Sequence, residues 1–227
     1  MMQSSSSLSL ALVAAGAAAA SALVTLALVQ KKRKTWTAEE LVAYRRSIFP
    51  DSYDPEQTVP KDVLEKMLES ANWAPTHGRS EPWRFIIFST PEAKLRLGEF
   101  EAELYKRMCP ADKFIQKKYE KKVKSKLASS YVIAICMKRQ ESERLPELDE
   151  ICSVACAVQN MHLVATDYGV GAYWSSGGPL FSDEMKEFLG LGEKDKCLGL
   201  FYVGVPKGEH PKGARKPMAA KVSWVEK

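Results

Sequence analysis

The sequence predicts a mixed fold, α+β or α/β, in which helices cover a sheet of buried strands. Segments with helical spacing of apolar residues alternate with short, uninterrupted apolar runs. Three of those runs, residues 83–88, 131–137 and 197–205, hold a single charge among them, Arg84, as strands buried on both faces do. With 45% hydrophobic and 27% charged residues in 227, the chain can bury an ordinary core and is not disordered.

The elements follow in order. Thr37-Ala-Glu-Glu40 has the form of a capping box and opens a helix to about Arg45. Phe49-Pro50-Asp51 and Asp54-Pro55 make a turn-rich connection. Pro60 starts a second helix whose apolar positions Val63, Leu64, Met67, Leu68 and Ala71 share one face. A loop over residues 74–82, bounded by prolines, leads into the strand at 83–88. Thr90-Pro91-Glu92 caps a helix to about Met108. Residues 112–127 are lysine-rich and read as a solvated helix or a mobile lid. After the strand at 131–137 comes a long apolar helix, 148–168, stopped by Gly169. It is too apolar for a surface helix, which predicts either a central core helix or part of a dimer interface. A short strand at 170–174, a helix at 182–189 and the strand at 197–205 complete the domain. A Pro/Gly/Lys tail over 206–217 follows, with 222–225 extended.

Charge and cysteine usage exclude several function classes. The net charge is +5, but Lys31, Lys32, Arg33 and Lys34 supply four of the five, leaving +1 for residues 35–227. A near-neutral domain does not bind nucleic acid by bulk phosphate attraction. Cys109, Cys136, Cys152, Cys156 and Cys197 are odd in number and contain no C-x-x-C pair, so they predict reduced, packed thiols, with neither a disulfide framework nor a zinc site. The histidines His77, His162 and His210 form no ligand-like pair, and no metal is expected.

Residues 8–29 are uncharged, and as a helix they would span about 33 Å, enough to cross a bilayer core of about 30 Å. They lack the basic leader of a secretory signal and the arginines of a transit peptide. A single-pass membrane anchor is expected, with the basic cluster 31–34 keeping the domain from residue 35 onward on the cytosolic side.

No P-loop, G-x-S-x-G or H-E-x-x-H motif occurs, and Gly169-Val-Gly171 follows a helix and lacks the third glycine of a dinucleotide fingerprint. Four local features remain. Arg45-Arg46-Ser47 offers two planar guanidinium forks and a hydroxyl suited to a phosphate, although basic residues at a helix end commonly just complement its dipole. Residues 74–83, from Ala74-Pro75-Thr76-His77 to Glu81-Pro82-Trp83, pack polar groups in a rigid loop before a core strand. In Gly171-Ala-Tyr173-Trp174-Ser175-Ser176-Gly177, aromatic and small residues together let a flat ring approach the backbone. Lys212-Gly-Ala-Arg215-Lys216-Pro217 is a second basic cluster.

Together and in this order, the four features resemble the FMN-dependent nitroreductase family over essentially all of the chain from Leu41 onward. The Trp174-Ser175-Ser176 segment is most similar to that of its small single-domain, YdjA-type members. The resemblance implies an α+β nitroreductase-like fold, with a mixed, mainly antiparallel sheet, and an intertwined homodimer with two FMN sites at its interface. It implies that Arg45, Arg46 and Ser47, assisted by Arg215 or Lys216, hold the cofactor's phosphate and flavin edge. Pro75, Thr76, His77 and Glu81 would come from the partner chain, and Trp174, Ser175 and Ser176 would line the ring. Glu81 stands where the family usually has Gln or Asn, or sometimes Glu, and Ser175 where the small relatives have Arg.

The function implied is hydride transfer from NAD(P)H, as transient co-substrate, through FMN to a small electron acceptor such as a nitroaromatic or a quinone, with no side-chain nucleophile. A narrower alternative within the superfamily is a membrane-anchored halotyrosine deiodinase, for which Glu101, Tyr105 and Lys126 would contact substrate. The alternative of another class is a non-catalytic flavin-binding or scaffold protein.

Overall fold

The computed structural model describes residues 34–226. The expected membrane span at 8–29 and the basic cluster 31–33 lie outside them; among the described residues no helix is long and apolar enough to cross a membrane.

Among the described residues, six α-helices and four strands follow one another in the predicted order. Helix α1 (Ala38–Tyr44) opens with the capping box: Thr37 Oγ1 accepts from the Glu40 amide at 3.2 Å, and Glu40 Oε2 accepts from the Thr37 amide at 3.0 Å. Helix α2 (Lys61–Asn72) buries Val63, Leu64, Met67 and Ala71, its predicted apolar stripe. Strand β1 (Trp83–Phe88) leads to α3 (Pro91–Met108), where Thr90 caps the Ala93 amide. Helix α4 (Gln116–Leu127) and strand β2 (Tyr131–Met137) precede the long helix α5 (Glu147–Asp167). Strand β3 (Gly171–Ser175), the short helix α6 (Asp183–Phe188) and strand β4 (Lys196–Gly204) end the sheet-forming part.

The sheet runs β1-β2-β4-β3, and all three pairings are antiparallel, where a mixed sheet was expected. Side chains alternate across it, so each face meets its own helices. Ile133, Ile135 and Met137 of β2 point with Phe201 and Val203 of β4 toward α2 and α5. Val132, Ala134 and Cys136 point the other way with Leu200 and Tyr202, against Leu97 and Leu104 of α3 and Met185 of α6. Burial on both faces is why these strands read as continuous apolar runs.

Two departures from the sequence reading have simple physical causes. The 112–127 segment is not only a solvated face: α4 packs on α3, and Lys126 is fully buried, its ammonium paired with Glu101. The charge pattern hid this because one inward lysine looks like its outward neighbours. Residues 222–225 form no strand, and Trp224 stands 85% exposed.

Tyr53 fixes the loop after α1. Its ring lies against Gly171 and Gly204, where a Cβ would collide, and its hydroxyl donates to the carbonyls of Ile48 (2.8 Å) and Tyr202 (3.2 Å). The Ile48 amide also donates to Ala172 O of β3 at 3.0 Å. Residues 45–48 are thereby held at the β3 edge of the sheet, two residues before Trp174.

Candidate functional site

Helix α1 ends at Arg45, and the chain turns there with Arg46 Nη1 donating to the carbonyls of Ala43 and Arg45, each at 2.6 Å. This uses one end of the guanidinium as a C-cap and leaves the rest for something else. Arg46 Nε is buried with no hydrogen-bond partner. An unpartnered buried donor is rare and costs about 1–3 kcal/mol, which sets this guanidinium apart from an ordinary helix cap.

The C-terminal tail closes over this point. His210 stacks on Tyr44 with ring centroids 3.8 Å apart, and Tyr44 in turn packs on Trp36 at 4.8 Å. Gly213 passes against the Arg46 guanidinium so closely that any side chain there would overlap it. Arg215 arrives near Arg45: burial first, then the charges of Arg215 and Arg46, hold the Arg45 guanidinium below its ordinary pKa. The first and fourth features of the sequence, 170 residues apart, thus converge. None of the ion pairs among the described residues involves Arg45, Arg46 or Arg215. Three guanidiniums brought together without a carboxylate repel each other and are relieved by an anion. Ser47 is exposed beside them, and Lys216 is exposed at the end of the tail.

His162, on the buried side of α5, sits behind the pair. Its Nε2 is 3.0 Å from Arg46 O, and its Nδ1 is 3.5 Å from Arg45 Nη1. Only one tautomer serves both contacts: Nε2–H donates to the carbonyl and the Nδ1 lone pair accepts from the guanidinium. Burial, then the Arg45 charge, lower its pKa to about 4, which keeps the ring neutral. Sequence reasoning noted His162 only as a histidine without a metal-binding companion. Its one signal was a polar residue on the inward stripe of an apolar helix, adjacent to Met161.

The third feature lies along β3. Trp174 Nε1 donates to Leu198 O at 3.0 Å across the sheet, so the indole is held by β4. Gly199, at φ +136°, makes this possible, because a Cβ there would lie 2.5 Å from Trp174 Nε1. Ser175 pairs with Leu200, and Ser176 is exposed where the strand ends.

The second feature is elsewhere in the protomer. Thr76 Oγ1 meets Ser80 Oγ at 2.9 Å and accepts from the Glu81 amide at 3.1 Å, closing a tight loop with Gly78, Arg79 and Glu81 at positive φ. His77 Nδ1 lies 2.7 Å from Asp149 Oδ2 at the start of α5, while Pro75 and Glu81 are exposed. Asp149 and His162 are thirteen residues apart on one helix, about 20 Å. A single chain therefore does not bring the Pro75–Glu81 loop to its own arginine cluster.

The residues considered for a dehalogenase substrate site are placed differently again. Glu101 of α3 is buried and pairs with both Lys126 and Lys122 of α4, whose charges overcome the effect of burial and hold its carboxylate below the usual range. Lys126 also reaches Tyr202 Oη at 3.3 Å. Tyr105 Oη accepts from the Ile115 amide at 3.1 Å. These groups tie α3, α4 and the sheet together.

Comparison with known proteins identifies the family and the fold. The nitroreductase family model matches residues 42–205. The putative NAD(P)H nitroreductase YdjA of Escherichia coli K12 is 30% identical over 173 residues, covering 75% of this chain and 88% of that protein. The nitroreductase-like family protein of Bacillus cereus shares the fold with a TM-score of 0.69 at 24% identity, over 86% of this chain and 99% of that one. A nitroreductase with bound FMN from Bacteroides fragilis shares it with a TM-score of 0.62 at 21% identity, over 85% and 100%. The span of the family match and the identity to YdjA establish that this chain belongs to the nitroreductase family.

Proposed function

We propose that the chain is an FMN-dependent oxidoreductase that takes hydride from NAD(P)H and passes it to a small electron acceptor such as a nitroaromatic or a quinone. The observation that carries this is the arginine cluster, three guanidiniums with no carboxylate partner among the described residues, one of them with a buried, unpartnered Nε. That donor set fits a phosphate dianion on a flat cofactor. Arg45 and Arg215 supply charge, Ser47 a neutral donor, and Lys216 further charge from the end of the tail. Bound FMN would supply the two-electron chemistry, and one cleft serves nicotinamide and acceptor in turn, so no separate dinucleotide fold is needed. The protein's part is to bind, orient and exclude water. The β3 end from Trp174 to Ser176 gives a backbone-lined wall, and the Arg46 cation offsets negative charge gained on hydride uptake.

The homodimer belongs to the same proposal. Helix α5 leaves a strip of small and apolar residues uncovered, with Leu148 66% exposed and Cys152, Cys156 and Leu163 along the same side. Two copies packed antiparallel along α5 about a two-fold axis would bring the Pro75–Glu81 loop of one chain toward the arginines of the other, bridging the 20 Å that separates them within a protomer. Thr76, His77 and Glu81 would then complete the site from the second copy. The uncharged stretch at 8–29 and the basic residues after it support a tether ahead of this domain, with the domain in the cytosol.

The dehalogenase reading draws less support. The Glu101 and Lys126 charges are spent on each other inside the protomer, which leaves Tyr105 alone to meet a zwitterion. The scaffold reading is opposed by the unrelieved cationic cluster. The test is anaerobic addition of NADPH or NADH to the flavin-loaded protein. Bleaching of the flavin absorbance, with recovery on adding menadione or a nitroaromatic, is expected; a spectrum that does not respond to either nicotinamide would refute the proposal.

A further inference from the structure

Cys136 of β2 and Cys197 of β4 stand directly opposite each other across the sheet. A break in register produces this pairing. Ile135 faces Gly199 while the next residue, Cys136, faces Cys197, so Leu198 is the extra residue of a bulge. Without the bulge Cys136 would face Leu198, and Cys197 would point toward α5. With it, both thiols lie on the α3 side among Ala134, Leu200 and Tyr202. Directly opposed residues in an antiparallel pair have Cα atoms about 4.5–5.5 Å apart, within the roughly 4.4–6.8 Å that a disulfide requires. Both thiols are free, and the Cys197 thiol donates to Gly199 O at 3.7 Å. The neighbouring Cys136 thiol holds the Cys197 thiol below its ordinary pKa, which makes Cys197 the first of the two to ionise.

We propose that Cys136 and Cys197 form a redox-active dithiol that a peroxide converts reversibly to an intramolecular disulfide. The inference does not depend on flavin chemistry. The Cys197 thiolate attacks hydrogen peroxide; an S–O bond forms, the O–O bond breaks, and hydroxide leaves to be protonated as water. The Cys136 sulfur then displaces the Cys197 hydroxyl, forming the S–S bond and releasing a second water. Two thiols lose two electrons and two protons, and one peroxide takes them up.

Access is the controlling step, since both sulfurs are buried. Cys136 is the penultimate residue of β2 and Cys197 the second of β4, paired beside the terminal Met137–Lys196 rung. Strand ends open at far lower free energy than strand centres, and fraying of one rung exposes the pair to a small oxidant. The bulge that brings the thiols together also presents Leu198 O to Trp174, so the dithiol lies beside the proposed ring-lining wall.

The test uses the full chain. Protein treated with hydrogen peroxide is unfolded in iodoacetamide and digested with trypsin, which separates Cys136 (residues 127–138) from Cys197 (residues 197–207). The expected product is a linked peptide lighter by two hydrogens than the two thiol peptides together, abolished by dithiothreitol before alkylation and absent from Cys197→Ser. The proposal is overturned if both peptides return fully alkylated under conditions that oxidise free glutathione added to the same sample. It is equally overturned if either cysteine is found linked to Cys109, Cys152 or Cys156, or carried singly to the sulfinic acid. If Cys197→Ser does not fold, the wild-type peptide map decides alone.

Discussion

Gly213 crosses the guanidinium of Arg46 with no room for a side chain between them, so the tail's glycine and the helix-end arginine form one surface. The tail is otherwise exposed and contributes little to the core. This separates binding from stability in a way few positions allow. Gly213→Ala pushes the Arg46 side chain out of the cluster or lifts the tail, and either movement weakens the phosphate site. FMN affinity is expected to fall by about tenfold, the equivalent of about 1.4 kcal/mol, with the thermal midpoint unchanged. Isothermal titration beside a melting curve checks it; equal affinity would mean the tail does not shape the site.

Arg45→Ala removes a charge-assisted contact from the same cluster. Such contacts are worth about 1.5–3 kcal/mol, or roughly one to two decades of affinity. Flavin content after purification should fall steeply while the circular dichroism spectrum holds. Full flavin occupancy in the variant would show that Arg45 is not a phosphate ligand.

His162 makes the domain acid-sensitive. Its folded-state pKa is lowered to about 4 from 6.5, so below pH 6.5 the unfolded chain binds the proton that the folded chain refuses. Stability from this group is fully present above pH 6.5 and is lost as pH falls toward 4. The limit is on the order of 3 kcal/mol, from about 1.4 kcal/mol per pKa unit. Urea unfolding at pH 7.5 and 5.0 (values chosen to bracket the upper half of that window, roughly where linkage acts) should show a loss in wild type that is smaller in His162→Gln. An identical loss in both would place the acid sensitivity elsewhere.

The buried Glu101–Lys126 pair predicts non-additive mutations. Removing one partner strands a charge in the interior, at a cost of about 3–5 kcal/mol, whereas an apolar pair of similar volume is tolerated much better. Glu101→Leu and Lys126→Met should each destabilise strongly, and the double variant less than either single one. Additive losses in denaturant unfolding would mean the two groups do not interact.

The legible part of this protein was what repeats locally. The capping box at Thr37, the stripe of α2 and the apolar runs of the sheet each follow from spacing within one element, and the structure has them within a residue or two of the expected bounds. The basic residues at 45–46 and 215 were visible as donors, but their meeting followed only from the family resemblance, because it depends on the tail placing His210 on Tyr44 and Gly213 on Arg46. The place of His162 behind the arginines and the burial of Lys126 were missed for a related reason. Each is polar in a helix, and only tertiary packing decides that the one faces Arg45 and the other Glu101. The Cys136–Cys197 pairing was out of reach entirely, since a one-residue bulge changes which side chains meet.

The arginine cluster as a phosphate site is tested most directly by comparing FMN with riboflavin, which differs only in lacking the phosphate, in fluorescence titrations of the flavin-free protein. FMN should bind at least about tenfold tighter in wild type, and Arg45→Ala should narrow the gap by weakening FMN alone. Equal affinities for the two flavins, or a gap that survives the loss of Arg45, would contradict the account.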